Sequence, residues 1–213
     1  MLGGDGDDTM GAYAANETFD GGNGRDVLDG GFHQDFSTAT ISNVEVLITY
    51  GNSITATAAQ LDGFETITVL DNPVFDTTQV SLQLSGSGTV DLSSQLGARA
   101  AYVYASSSGN GITTSTGDDF LQGGSGDDTL NGGDGADLID LSDGGVGVIF
   151  TLSVTGSGQV TAIGLGTDTY SNMEGVIGTG GGDVLSGNNG DNLIDGSGGS
   201  DQLFGAGGSD RLV

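Results

Sequence analysis

The amino-acid sequence predicts an all-β protein, folded as a right-handed parallel β-roll, or β-solenoid, in which short strands stack along one axis. Two observations carry this prediction. A nine-residue unit recurs, as in GGSGDDTLNGGDGADLID from Gly123 to Asp140, where it occurs twice in succession. After each glycine-rich part a single apolar residue returns at a fixed position, which is typical of short strands stacked around a thin core.

Composition restricts the partners that the chain can have. Its 213 residues include 29 acidic side chains and three basic ones, for a formal net charge of −26, which would repel nucleic acid and attract cations. The absence of cysteine and the single histidine leave oxygen atoms as the available metal ligands. No apolar run approaches about 18 residues, and no signal-peptide pattern opens the chain, so we expect no membrane span. Both ends coincide with repeat boundaries, which favours an excerpt of a longer protein.

The nonapeptide units form three uninterrupted blocks. The first runs from Gly3 to Thr38, the second from Thr114 to Asp140 and the third from Gly178 to Val213. Position six is acidic in all units but one, and the series is Asp8, Glu17, Asp26, Asp35, Asp119, Asp128, Asp137, Asp183, Asn192, Asp201 and Asp210.

The spacing within a unit indicates a metal-binding turn. Glycines at positions one, two and four reach backbone angles that strain other residues, so the chain turns tightly and its carbonyl groups converge. If two units make one turn of the roll, the acid of one unit lies beside that of the second unit along. Such a cage of oxygens suits Ca²⁺, which accepts about six to eight ligands in loose geometry, better than Mg²⁺.

The units match the pattern G-G-x-G-x-D-x-U-x, where U is apolar, and on these residues the chain resembles the RTX (repeats-in-toxin) family of hemolysin-type calcium-binding repeats. The resemblance covers roughly half of the chain and implies a parallel β-roll that holds several Ca²⁺ ions, about four to eight, in its turns. It implies metal ligands at the position-six residues and at the turn glycines Gly4, Gly6, Gly22, Gly24, Gly124, Gly126, Gly133 and Gly135.

Carried over unit by unit, the pattern implies ion sites between five pairs, which are Asp8 with Asp26, Glu17 with Asp35, Asp119 with Asp137, Asp183 with Asp201, and Asn192 with Asp210. The second unit departs from the pattern, because AYAA replaces its glycines. Asp128 is expected to have no partner, because the same frame reaches Val146 two units further on.

The stretches between the blocks are expected to form rungs without calcium. The segments ISNVEVLI from Ile41, LDGFETIT from Leu61 and YSNMEGVI from Tyr170 share an apolar-x-[Asn/Gly]-apolar-Glu pattern, and they resemble rungs of bacterial surface-layer proteins or RTX adhesins. Two alternating segments flank GSG at 156–158, which predicts a hairpin-like turn there. Glu174 is in phase with position six, either as an ion ligand or as an acceptor of backbone N–H bonds.

We therefore expect one continuous elongated domain of about eleven turns. It consists of β-roll blocks at 1–38, 114–140 and 178–213, with calcium-free rungs at 39–113 and an insertion at 141–177. No nucleophile elbow, phosphate loop or metalloprotease pattern occurs in the sequence, so a non-catalytic role is expected.

The resemblance implies a secreted bacterial protein, exported by type I secretion, that folds on Ca²⁺ outside the cell. A surface-layer or adhesin role is favoured, with self-association or a cell-surface glycan as partner. The alternative is the C-terminal accessory or secretion module of a secreted hydrolase, lipase or polysaccharide-modifying enzyme.

Overall fold

The computed structural model describes residues 1–14, 16–31, 35–50, 53–70, 79–153, 157–162 and 164–213. These residues form a parallel β-solenoid of about ten turns, which confirms the predicted fold class. The strands are β1 (Leu2–Asp5), β2 (Thr9–Gly11), β3 (Thr18–Asn23), β4 (Val27–Asp29), β5 (Thr40–Ser42), β6 (Val46–Thr49), β7 (Ser53–Ala56), β8 (Thr66–Val69), β9 (Gln79–Leu84), β10 (Gly88–Asp91), β11 (Ala100–Tyr104), β12 (Asn110–Thr113), β13 (Phe120–Gln122), β14 (Thr129–Asn131), β15 (Leu138–Asp140), β16 (Ile149–Thr151), β17 (Ser157–Ala162), β18 (Gly166–Ser171), β19 (Gly175–Ile177), β20 (Val184–Ser186), β21 (Leu193–Asp195), β22 (Gln202–Phe204) and β23 (Arg211–Leu212). The described residues contain one helix, α1 (Ala58–Asp62).

The strands pair mainly with the second strand along the chain, because each turn of the solenoid contributes strands to different sheets. The five sheets have the orders β1-β3-β5, β2-β4-β6-β8, β7-β9-β11-β13-β15-β19-β21-β23, β10-β12-β14-β18-β17 and β16-β20-β22. Within the repeats the register places Thr9 opposite Val27 and Phe120 opposite Leu138, so one turn consists of two nonapeptides.

Position-eight side chains of the repeats fill the interior. Leu28, Leu121, Ile139 and Ile194 are completely buried, and each such side chain stabilises the fold by about 1.5–3 kcal/mol. Leu212 differs, with 47% of its surface exposed, because β23 is an edge strand with only β21 beside it.

The segment LDGFETIT starts in helix α1 rather than in a strand. Thr57 caps the helix, since its hydroxyl accepts a hydrogen bond from the Gln60 N–H at 3.2 Å and the Gln60 side chain accepts one from the Thr57 N–H at 2.8 Å. The Gln60 amide also donates to the carbonyls of Phe36 and Ala39, both at 2.8 Å. These bonds hold one helical turn on the preceding coil, after which β8 rejoins the parallel stack.

The hairpin expected at residues 156–158 is wrong in position. Gly158 lies inside β17, and Gly156 lies outside the described residues. The antiparallel partner of β17 is β18, whereas β16 runs parallel to β20 in another sheet. β18 itself runs parallel to β14. Gly164, just before β18, and Gly166, its first residue, have φ of +96° and +83°, which glycine adopts without strain.

Candidate metal centre

Position-six side chains lie directly before the short strands, so the parallel register stacks them in columns. In each stacked pair, the backbone N–H of one residue donates to the side-chain Oδ1 of its partner in the next coil. The pairs are Asp8 with Asp26 at 2.8 Å, Asp119 with Asp137 at 2.8 Å, Asp183 with Asp201 at 2.9 Å, and Asn192 with Asp210 at 3.0 Å. The structure therefore brings together four of the five pairs that the repeat pattern implies.

Five position-six carboxylates have a second oxygen that is buried and has no hydrogen-bond donor among the described residues. This applies to the Oδ2 atoms of Asp8, Asp26, Asp119, Asp128 and Asp137. A buried carboxylate oxygen without a partner costs several kcal/mol, and buried carboxylates in proteins are normally paired or bound to metal. The five oxygens thus mark places where a cation would be stabilised.

Glycine is required in these turns because the carboxylate and the neighbouring coil occupy the space of a side chain. A Cβ at Gly123, position one, would lie 2.9 Å from the Oδ2 of Asp128, and one at Gly132 would overlap the Oδ2 of Asp137. At position four, Gly135 has φ of +146° and packs against the carbonyl oxygen of Gly117 in the preceding coil. The turn therefore folds tightly over its own acid and brings carbonyl groups of successive coils together.

The acids in the second block are held in an environment that favours their neutral form. Burial, together with the nearby charges of Asp119, Glu174 and Asp118, raises the pKa of Asp137 to about 7. Burial also raises the pKa of Asp119 and of Asp128 above the ordinary value of 3.8. A divalent cation would reverse this effect, because it stabilises the ionised carboxylates.

The donor set fits Ca²⁺. The centre offers carboxylate oxygens and turn carbonyls, which are the hard ligands that Ca²⁺ accepts in large numbers and loose geometry. Within the described ranges no three side chains of Asp, Glu, His or Cys converge on one point, so backbone oxygens must supply the remaining ligands. The turn glycines are the residues that bring those oxygens close.

The expected pairing of Glu17 with Asp35 is wrong. The register of β3 with β5 places Thr18 opposite Thr40, so Glu17 is not beside Asp35, which instead bridges to Thr55. Glu17 accepts hydrogen bonds from its own turn, where the N–H groups of Tyr13 and Ala14 lie 3.0 and 3.3 Å away. The glycine-free unit thus uses its acid to close the turn, and the frame shifts after it.

Acids from the segments between the repeat blocks continue two of the columns. The Asp26 N–H donates to the Glu45 side chain at 2.8 Å, and the Asp137 N–H donates to the Glu174 side chain at 2.9 Å. Glu174 therefore accepts a backbone N–H bond, which is one of the two roles expected for it. Glu45 was not singled out from the sequence, although it shares the rung pattern of Glu174.

Asp128 has a stacked partner, contrary to the expectation that it has none. Its N–H donates to the Oδ1 of Asp168 at 2.9 Å, across 40 residues of sequence. The nine-residue frame predicts the wrong partner for Asp128, because the chain leaves this frame after the second block and returns to the column only in β18. A signal for this return is present in GTDTYS, residues 166–171, which follows positions four to nine of the repeat.

None of the helices in the described part of the chain has the length and apolar character needed to cross a membrane.

Comparison with known proteins agrees with this geometry. Three segments, residues 11–38, 113–145 and 177–212, match the family model described as RTX calcium-binding nonapeptide repeat, in four copies, and together they make up a little under half of the chain. No curated protein matches the chain. The chain thus contains RTX calcium-binding nonapeptide repeats, in three separate blocks.

Proposed function

We propose that this protein is a calcium-dependent structural module that folds by binding Ca²⁺ between successive turns of its solenoid. The observation that carries the proposal is the set of buried carboxylate oxygens without hydrogen-bond donors in the described coils, at Asp8, Asp26, Asp119, Asp128 and Asp137. Stacked pairs such as Asp119 with Asp137 would share an ion, with turn carbonyls as the other ligands.

Electrostatics explain why folding would depend on the ion. Position-six carboxylates of successive coils are linked through a backbone N–H, so their charges are close and repel one another. The chain carries a net charge of −26 and only three basic residues to offset it. A divalent ion between the coils replaces repulsion by attraction, so its binding free energy becomes folding free energy.

We place the folded protein outside the cell. Turn sites built from a few carboxylates and carbonyls resemble extracellular calcium modules, whose dissociation constants are about 10⁻⁴ to 10⁻³ M. Such sites would be empty at cytosolic calcium concentrations and filled outside, so the chain would remain loose during export and become rigid afterwards. The RTX repeats support this placement, since secreted proteins typically carry them.

Among structural roles, we favour that of a surface-layer or adhesin segment. The sheet that contains β7 and β23 has eight strands in one stack, so a large part of the chain forms one extended scaffold. The described residues between the repeat blocks continue the same sheets rather than form a separate unit, as β7, β9 and β11 do. This continuity is what a spacer or lattice element requires.

Circular dichroism and isothermal titration calorimetry of the full chain test the calcium proposal. In excess chelator much of the β-sheet signal should be lost, and Ca²⁺ at millimolar concentration should restore it, with several ions bound per chain. Mg²⁺ at the same concentration is the control and should not restore the signal, because it demands a strict octahedral site. Identical spectra in chelator and in Ca²⁺ would contradict the proposal.

Light scattering and a glycan array test the role. Ordered self-association on addition of Ca²⁺ would support a surface layer, and binding to a defined glycan would support an adhesin. A calcium-loaded chain that stays monomeric and binds no glycan would instead favour an accessory module of a secreted enzyme.

A further inference from the structure

A stretch of the insertion follows the last six positions of a nonapeptide. Residues 166–171 read GTDTYS and form β18, outside the segments that match the RTX repeat. In the order of the repeat, Gly166 takes position four, Asp168 position six and Tyr170 position eight. Tyr170 is buried, as a position-eight residue is.

Three contacts of this stretch are the same as those between true repeats. The first is at position four, where Gly166 has a positive φ and packs on the carbonyl of Gly126, as Gly135 packs on that of Gly117. This contact leaves no space for a Cβ at Gly166.

The second contact is at position five. The Thr167 N–H donates to the Oδ1 of Asp127 at 2.8 Å, and in the repeats the Ala136 N–H donates to the Oδ1 of Asp118 at 3.0 Å. The third is at position six, where the Asp128 N–H donates to the Oδ1 of Asp168 at 2.9 Å. The corresponding bond from Asp119 to Asp137 measures 2.8 Å.

The two carboxyl groups at position six are both buried and close together. Asp128 and Asp168 are each 2% exposed, and the Oδ2 of Asp128 finds no donor in the described part of the structure. Two buried acceptors in contact need either a proton or a cation between them.

We propose that Asp128 and Asp168 hold a divalent cation of the calcium class, at a site that joins the second repeat block to the insertion. The inference rests on the proposed calcium function and extends it to an acid outside the nonapeptide repeats. The loop that this ion closes spans 40 residues, compared with 18 for a pair of true repeats. Closing a longer loop removes more entropy from the unfolded chain, so the ion would tie the β17–β18 hairpin to the roll.

The test compares the full wild-type chain with D168N, using Ca²⁺ as the probe in isothermal titration calorimetry and hydrogen exchange. Asparagine preserves the shape, and Asn192 shows that an amide is accommodated at position six. We expect D168N to bind one ion fewer and to lose the calcium-induced protection of residues 157–171. Protection of 178–213 should persist, which would show that the variant is folded.

The control is D134N, which removes the same charge from an exposed aspartate in the neighbouring turn and should leave the ion count unchanged. An unchanged ion count and unchanged protection in D168N would overturn the inference. Failure of the wild-type chain to bind any Ca²⁺ would instead overturn the proposed function.

A second variant, D168E, keeps the inference testable if D168N does not fold. Glutamate occupies the equivalent stacked place at Glu45 and Glu174, so the fold should tolerate it. D168E keeps a carboxylate and should therefore bind the full number of ions. The longer side chain displaces that carboxylate, so the affinity for one of the ions should be at least tenfold lower. Wild-type affinity for every ion in D168E would overturn the inference.

Discussion

The two carboxylate oxygens of Asp137, at position six, have different environments. In Asp137, Oδ1 accepts the Asp119 N–H at 2.8 Å, which fixes the spacing between coils. Its Oδ2 is buried against the position-one glycine, Gly132, and has no donor within the described ranges. One side chain therefore combines a structural hydrogen bond with a buried oxygen that is available to bind a cation.

Replacing Asp137 with asparagine should have opposite effects with and without Ca²⁺. The amide keeps the Oδ1 bond but removes a buried charge, so in chelator the residual structure should be stabilised by about 1–3 kcal/mol. In Ca²⁺ the loss of a charged ligand should weaken binding at this position at least tenfold. Thermal unfolding and calorimetry check both effects.

D134N serves as the control for D137N, because Asp134 is an exposed acid of the same turn. It should change neither the unfolding temperature in chelator nor the calcium affinity. A D137N variant that is less stable than the wild type in chelator would contradict the assignment of a buried unpaired carboxylate.

The glycine at position one should not tolerate a side chain. A Cβ at Gly132 would overlap the carbonyl oxygen of Asn172 and the Oδ2 of Asp137, so G132A should destabilise the calcium-loaded protein by about 1–3 kcal/mol and weaken calcium binding. G180A is the matched control, because a Cβ at Gly180 meets nothing within 4 Å. Equal unfolding temperatures for the two variants in Ca²⁺ would contradict this account.

At the scale of elements, the strands are too short to be stable singly, and stacking against the next coil stabilises them. Most repeat strands have three residues, with the middle one buried, as in β13 and β15. The chain departs from this regular stacking at two places, helix α1 and the β17–β18 hairpin. Both departures are held by side-chain bonds to a neighbouring coil, from Gln60 in the first case and from Tyr170 in the second.

Tyr170 joins β18 to β16, which belongs to another sheet. Its hydroxyl donates to the carbonyl of Thr151 at 2.6 Å, and its ring lies 5.0 Å from that of Phe150. Y170F keeps the ring contact but leaves that carbonyl without its donor, so we expect a loss of about 1 kcal/mol. The unfolding temperature in Ca²⁺ should fall by roughly 2–4 °C. Y13F, at an exposed tyrosine, should leave it unchanged.

At the scale of the whole molecule, negative charge sets the conditions under which the fold is stable. The net charge is −26, and an exposed contact between Arg25 and Glu65 at 3.7 Å is the one ion pair between described side chains. Such a surface pair contributes little. Protons and divalent cations are therefore the agents that can neutralise the buried acids.

The pH dependence of stability should be strong without Ca²⁺ and weak with it. Asp137 and Asp168 have folded-state pKa values of about 7, above the ordinary value of 3.8. In chelator, the unfolded chain loses these protons from about pH 4 upward while the folded chain retains them, so stability should fall as pH rises to 7. Above that pH the full penalty applies.

In saturating Ca²⁺ the same carboxylates are ionised in the folded chain, as they are in the unfolded chain above about pH 5, so stability should change little between pH 5 and 8. Thermal unfolding at pH 5, 6, 7 and 8, with Ca²⁺ and with chelator, checks both trends. Equal slopes in the two series would show that the buried acids do not bind the ion.

Much of the architecture could be predicted from the residues alone. The nonapeptide period implied two units per turn, and the register of β13 with β15 has this spacing. The position-eight residues indicated the core, because one apolar residue per unit must point inward in a short strand. The stacking of Asp8 on Asp26 followed from the same period.

Tertiary structure alone decided where the columns continue beyond the repeats. The partner of Asp128 is Asp168 rather than a residue near Val146, because the chain inserts another path before β18 returns to the column. Glu17 and Asp35 do not lie side by side, because the nine-residue frame shifts between β3 and β5. A strict period determines contacts only while it is unbroken, since each insertion of arbitrary length resets which residues lie side by side.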